Sequence, residues 1–154
     1  METISMKKIA FCTDFSDNAD AAFRVAKDLA WRYGAHLHIV HVLVSFSMAP
    51  IREVYVPIEV DAKFVEQATE AARATIEERY VGQLKEKQPH SIELLSGYPA
   101  SEIKAYAERE AIDLIVMGSR GLTGLAHVLF GSTADRVVRK APCSVLTVRL
   151  SHQA

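Results

Sequence analysis

Short apolar runs alternate along this chain with stretches in which apolar residues recur every three to four positions. KIAFCT, from Lys8 to Thr13, is a run that stops at Asp14 and reads as a first strand. Ser16 and Asp17 are N-cap candidates for the next element. Ala19, Ala22, Phe23, Ala26, Leu29, Ala30 and Tyr33 then repeat at the 3.6-residue period, and Gly34 supplies the stop. This spacing predicts a helix of about four to five turns. LHIVHVLV, Leu37 to Val44, is apolar nearly throughout and rich in β-branched residues, as a strand covered on both faces of a parallel sheet requires.

Residues 45–58 contain two prolines and no period, so they read as an irregular loop, long enough in a small domain to suggest function or mobility. A second helix is expected from about Val60 to Lys87. Phe64, Ala68, Ala71, Ala72, Thr75 and Ile76 form its apolar stripe, and Glu66, Glu70, Glu77, Glu78 and Arg79 its solvated side. Gly82 weakens the last turns and Pro89 ends them. A strand from Ser91 to Leu95 and the turn Gly97-Tyr98-Pro99 lead to a helix from Ala100, with Ile103, Tyr106, Ala107 and Ala111 inward. Leu114 to Met117 forms a strand that stops at Gly118. Beyond a glycine-rich loop come a helical pattern from Thr133 to Lys140, Pro142, and a last strand from Ser144 to Arg149.

Strands alternating with helices predict an α/β fold: an open parallel sheet of five strands with helices on both faces and right-handed connections. No repeat or boundary interrupts the pattern, so residues 1–154 are expected to form one domain.

Composition narrows the function. The 154 residues are 49% hydrophobic and 24% charged, with a formal net charge of -1, which gives no electrostatic case for nucleic acid or an anionic membrane. No run approaches the roughly 20 apolar residues that span a bilayer, and METISMKKIAF carries no cleavage-site pattern. Cys12 and Cys143 fall in or beside strands and read as core residues of a reducing compartment. The expectation is a cytoplasmic protein.

In doubly wound sheets ligands bind beyond the carboxyl ends of the strands. Here those ends deliver Thr13 and Asp14, Val42 and its neighbours, and Gly118. Asp14 suits ribose hydroxyls better than phosphates, and equally suits a turn or helix cap. The glycine loop lacks both the lysine of a P-loop and the G-x-G-x-x-G of a dinucleotide site. It reads G-x2-G-x9-G-S instead, at Gly118, Gly121, Gly131 and Ser132. Glycines that admit a backbone to an anion, followed by the free amides of a helix start, suit phosphate binding. Turn glycines and a plain helix start account equally well for the same letters. Arg120 lies in the loop, either reaching a phosphate or simply solvated. His36 and His38 share one strand face and His41 takes the other, so the three cannot converge on a metal from that strand. No G-x-S-x-G or similar signature marks a nucleophile.

The G-x2-G-x9-G-S/T spacing, the strand DLIVMGSRG before it, the first strand ending in Thr13-Asp14, HIVHVL and the closing PCSVLTV together resemble the universal stress proteins in their ATP-binding branch. The resemblance covers essentially the whole chain. It implies a sheet of order 3-2-1-4-5 of the adenine nucleotide alpha hydrolase kind. It also implies that Thr13 and Asp14 lie near ribose and phosphates, that the Val42 backbone faces adenine, and that Met117 and Gly118 floor the site. Gly118, Gly121, Gly131, Ser132 and Thr133 would hold the phosphates, largely through main-chain amides, with any magnesium ion held mainly by the phosphates. Members lacking these glycines do not bind ATP.

The final strand, Ser144 to Arg149, is expected at an edge, and a two-fold homodimer through antiparallel pairing of these edges is expected. The leading functional expectation is a nucleotide-dependent regulatory homodimer active in stress. The alternatives are a slow ATPase or phosphotransferase using the same site, and a nucleotide-free interaction module with the 45–58 loop as partner surface.

Overall fold

A computed structural model describes residues 4–44, 48–51, 54–57, 61–121 and 130–150. Strands β1 (Lys8–Thr13), β2 (His36–Val44), β5 (His90–Gly97), β6 (Leu114–Gly118) and β7 (Ser144–Val148) form one parallel sheet in the order β5-β2-β1-β6-β7. Counted along the sheet's own strands this is 3-2-1-4-5, as expected.

Side-chain alternation along β1 sorts the core into two layers. Ile9 and Phe11 join α1 (Asp17–Tyr33) and α2 (Ala62–Arg79) on one face. Ala10 and Cys12 join α3 (Pro99–Glu110) and α4 (Ser132–Lys140) on the other. Both faces of β1 are therefore dry, which is why its sequence is apolar without alternation. The α1 interface is built from Ala19, Ala22, Ala26 and Ala30 around Phe23, and the small residues allow close approach to the sheet. Ser16 caps α1, its Oγ accepting from the Ala19 amide. Gly34 closes the helix in the left-handed region at φ 62, its amide donating to the Ala30 and Trp31 carbonyls.

Two elements differ from the sequence expectation. Within residues 45–58, Met48–Ile51 (β3) and Val54–Pro57 (β4) pair as an antiparallel ladder. Pro50 and Pro57 lie in these strands, and prolines depress any strand signal because they donate no ladder bond. Residues 45–47, 52–53 and 58–60, including the expected helix start at Val60, lie outside the described residues. The second helix is also shorter than 60–87. It begins behind Asp61, whose carboxylate accepts from the Lys63 amide, and ends at Arg79. Tyr80 then turns fully into the core, its ring 5.1 Å from Phe11 and 4.7 Å from Phe23, and the chain continues as a 3-10 turn, Val81–Gln83. Burying that tyrosine outweighs continuing a helix into Gly82.

Candidate functional site

The strands on either side of β1 are reached by crossovers on opposite faces, so the sheet has its switch point where β1 and β6 lie side by side. A cavity of about 480 Å³ lies at the carboxyl ends of these strands. Thr13, Asp14, Val42, Met117, Gly118, Arg120, Gly121, Gly131, Ser132 and Thr133, all singled out from sequence, line this one cavity. Residues 122–129, the middle of the x9 spacing, lie outside the described residues.

The wall opposite the glycines is apolar: Val40, Leu43 and Val44 on β2, Pro99 and Ile103 on α3. Sequence reasoning reached His41 and Leu43 only as neighbours of Val42, and it missed Cys12, Val40, Val44, Pro99, Ile103 and Ala134. The alternation of β2 could have signalled some of them. Nothing in the sequence shows that α3, which follows the edge strand β5, folds back over β2. Cys12 lies on the floor, and burial, with Cys143 as a lesser contribution, pushes its thiol up to about 12, so it stays protonated.

The glycines serve different purposes. A Cβ on Gly118 would lie 2.9 Å from the Asn18 carbonyl carbon and 3.1 Å from the Ala19 nitrogen. Gly118 is thus small because the N-terminus of α1 crosses it. At Gly121 a Cβ would lie 2.7 Å from Asp14 Oδ2. At Gly131 it would lie 3.4 Å from the Gly121 nitrogen and 3.5 Å from the Arg120 Cα. The two ends of the glycine loop therefore touch, joined further by the Gly131 amide donating 2.8 Å to the Ser119 carbonyl. Ser119 in turn donates 2.8 Å to the Val148 carbonyl, tying the loop to β7.

Gly131 is the N-cap of α4 and offers no side chain to its amides. The first turn, Ser132 to Ala134, lines the cavity, so its uncapped amides and the positive end of the helix dipole face that space. Of the two tasks that its position suggested, Asp14 performs the turn. Oδ1 accepts 3.0 Å from the Ser16 amide in an Asx turn, and Oδ2 stands beside Gly121. The Thr13 hydroxyl, by contrast, turns away to Tyr80 Oη at 2.8 Å, leaving its main chain to the site. His41 Nδ1 lies 2.8 Å from the Thr13 carbonyl and must donate, since a carbonyl only accepts.

His36 and His38 share a face, with ring centroids 4.6 Å apart, and His41 lies on the other side against Phe15. Ser91 Oγ lies 3.2 Å from His36 Nε2 and Tyr106 Oη 2.6 Å from His38 Nδ1, while the buried His38 Nε2 has no partner among the described residues, and no three metal-ligating side chains gather among them. None of the helices described is long and apolar enough to cross a membrane.

A model of the universal stress protein family matches residues 6–149. A universal stress protein from Thermus aquaticus is 36% identical over 93% of this chain and 98% of its own length. Among solved structures, one from Lactobacillus plantarum superposes with a TM-score of 0.78 at 27% identity, covering 96% of this chain and 100% of that one. Another, from Archaeoglobus fulgidus and in complex with dAMP, shares the fold with a TM-score of 0.62 at 21% identity, covering 95% and 99%.

Proposed function

Because the chain belongs to the universal stress protein family, we propose that it is an ATP-binding member, a regulatory homodimer whose nucleotide state alters its own conformation or a partner. The observation that carries this is an uncapped helix start opening on a cavity that has an apolar wall on β2 and α3 and also takes in Asp14, His41 and Arg120. About 480 Å³ is within the usual range for a small-molecule site. In this reading the base packs between β2 and Ile103, with the Val42 main chain toward adenine. Gly121, Gly131, Ser132 and Thr133 meet the phosphates through amides, and Arg120 lies within their reach. Gly118 and Met117 form the floor, and Thr13 and Asp14 approach the ribose. The Asp14 carboxylate beside Gly121 would repel bare phosphates, so a magnesium ion carried by the phosphates offsets that charge. The dAMP bound by the Archaeoglobus protein is consistent with an adenine nucleotide.

Among the described residues Arg120 is the sole cationic side chain lining the cavity, which favours binding over turnover. ATP hydrolysis that disappears in Asp14→Ala would move the assignment to an enzyme. The free cysteines suit the cytoplasm, and the edge position of β7 suits a dimer through Ser144 to Arg149. The deciding experiment is to extract freshly purified protein and identify its ligand by mass, then titrate ATP by calorimetry. Adenine nucleotide in the extract or a measurable heat supports the reading, and the absence of both overturns it.

A further inference from the structure

Phe15, one residue beyond Asp14, has φ 65. A bulky side chain in the left-handed region costs on the order of 1–2 kcal/mol, so something must hold it there. The holding groups form a closed hydrogen-bonded ring of which only Thr13 lines the cavity. The Phe15 amide donates to Thr13 Oγ1 at 3.0 Å, and Thr13 Oγ1 meets Tyr80 Oη at 2.8 Å. Tyr80 donates its one proton to Asp20 Oδ1 at 2.8 Å, so the Thr13 hydroxyl must donate to Tyr80. Arg79 Nη2 donates to Asp20 Oδ2 at 2.5 Å, and Arg79 Nη1 returns to the Phe15 carbonyl at 3.0 Å. The ring thus starts at the amide of one residue and ends at its carbonyl.

The Phe15 side chain is gripped as well. Its ring lies 4.5 Å from His41 and parallel to Tyr80 within 10°, with the Arg79 guanidinium 5.8 Å away. His41 also holds the Thr13 carbonyl. Asp14 therefore sits between two residues whose main chains are fixed at several points, and its own carboxylate adds the bond to Ser16. Neither Asp20, Arg79 nor Tyr80 lines the cavity.

We propose that Tyr80, Arg79 and Asp20 are positioning residues for the nucleotide, holding the Thr13–Phe15 turn in the conformation that aims Asp14 at Gly121. This rests on the nucleotide reading above. It makes the C-terminus of α2 an affinity control for a cavity that Arg79 and Tyr80 do not line, because any movement of either loosens the turn.

Tyr80→Phe removes the central hydroxyl and keeps the ring in the core. It is expected to weaken binding of magnesium-ATP roughly tenfold, since the turn must be reorganised for each binding event. A Phe15→Asn background separates positioning from general damage, because asparagine tolerates the left-handed region. There, Tyr80→Phe should cost less than about threefold, the signature of coupled sites. A ligand-free readout stands beside the binding one. Hydrogen exchange at the Phe15 amide should accelerate at least about tenfold in Tyr80→Phe, while the β1 amides keep their protection. Equal ATP affinity in the parent and Tyr80→Phe, or the same loss in both backgrounds, overturns the affinity control. Unchanged exchange at Phe15 overturns the clamp itself. If the parent binds no ATP, the nucleotide reading and the affinity control fall together, and the exchange result still decides whether the ring holds the turn.

Discussion

Gly118→Ala separates a packing glycine from a ligand glycine. Its Cβ would meet the Asn18 carbonyl carbon and Cβ, both at 2.9 Å, and the Ala19 nitrogen at 3.1 Å. These atoms are mostly main chain, so no rotamer change relieves the contact. Helix α1 must retreat by roughly half an ångström to reach ordinary van der Waals separation. That retreat strains the Ser16 cap, whose Oγ is already 3.2 Å from the Ala19 amide, and the 3.1 Å bond from the Leu150 amide to Asn18 Oδ1. Overpacking of this kind costs about 1–3 kcal/mol, which for a chain of this size lowers Tm by roughly 3–10 °C. Gly131→Ala is the contrast. Its Cβ would lie 3.4 Å from the Gly121 nitrogen, a contact that small loop shifts absorb, so Tm should fall by less than about 3 °C. The added methyl would cover the Gly121 amide and weaken ATP binding about tenfold or more. Thermal unfolding without nucleotide and calorimetric titration with it give both numbers for each variant. An unchanged Tm in Gly118→Ala accompanied by lost affinity would refute the packing argument and return Gly118 to the phosphate path.

His38 predicts an acid sensitivity. Burial, with lesser contributions from His36 and Lys8, lowers its pKa from 6.5 to about 4. The unfolded chain therefore takes the proton first, and stability falls as pH drops from about 6.5 toward 4, by up to roughly 3 kcal/mol. Denaturant unfolding at pH 7.5 and pH 4.5 should show the loss, and His38→Gln should shrink it. An equal loss in both proteins would assign the effect elsewhere. At the β7 edge, Leu146 is 37% exposed, and Leu146→Lys should convert a dimer to monomers by light scattering. A monomeric parent would refute the dimer. Phe11→Ala removes the ring that packs against Phe23 and Tyr80 and should cost about 3–5 kcal/mol in chemical denaturation. A loss under about 1 kcal/mol would show that the core refills the space.

Element type and order were legible because each strand and helix carries its own burial pattern. The β1 run, the α1 stripe from Ala19 to Ala30 and the strand before Gly118 all lie where periodicity places them. The glycines that line the cavity were legible for a related reason. Gly118, Gly121 and Gly131 are positions where backbone meets another group, and the letter itself records that a side chain is missing. What stands in its place is not recorded. Asn18 at Gly118, Asp14 at Gly121 and the Gly121 amide at Gly131 are all distant in sequence or unmarked. The end of α2 was illegible likewise, since helical propensity favoured continuation until Tyr80 found Phe11 and Phe23.

From the sequence alone came the alternation of strands and helices, the sheet's dry interior and the place of the glycine loop after β6, all of which depend on residues close together in the chain. Tertiary structure decided which face each glycine presents, how α3 closes the cavity over β2, and that Phe15 is held in a left-handed turn from Arg79 and Tyr80. Those depend on contacts such as Thr13 with Tyr80, separated by 67 positions, where only packing brings the partners together.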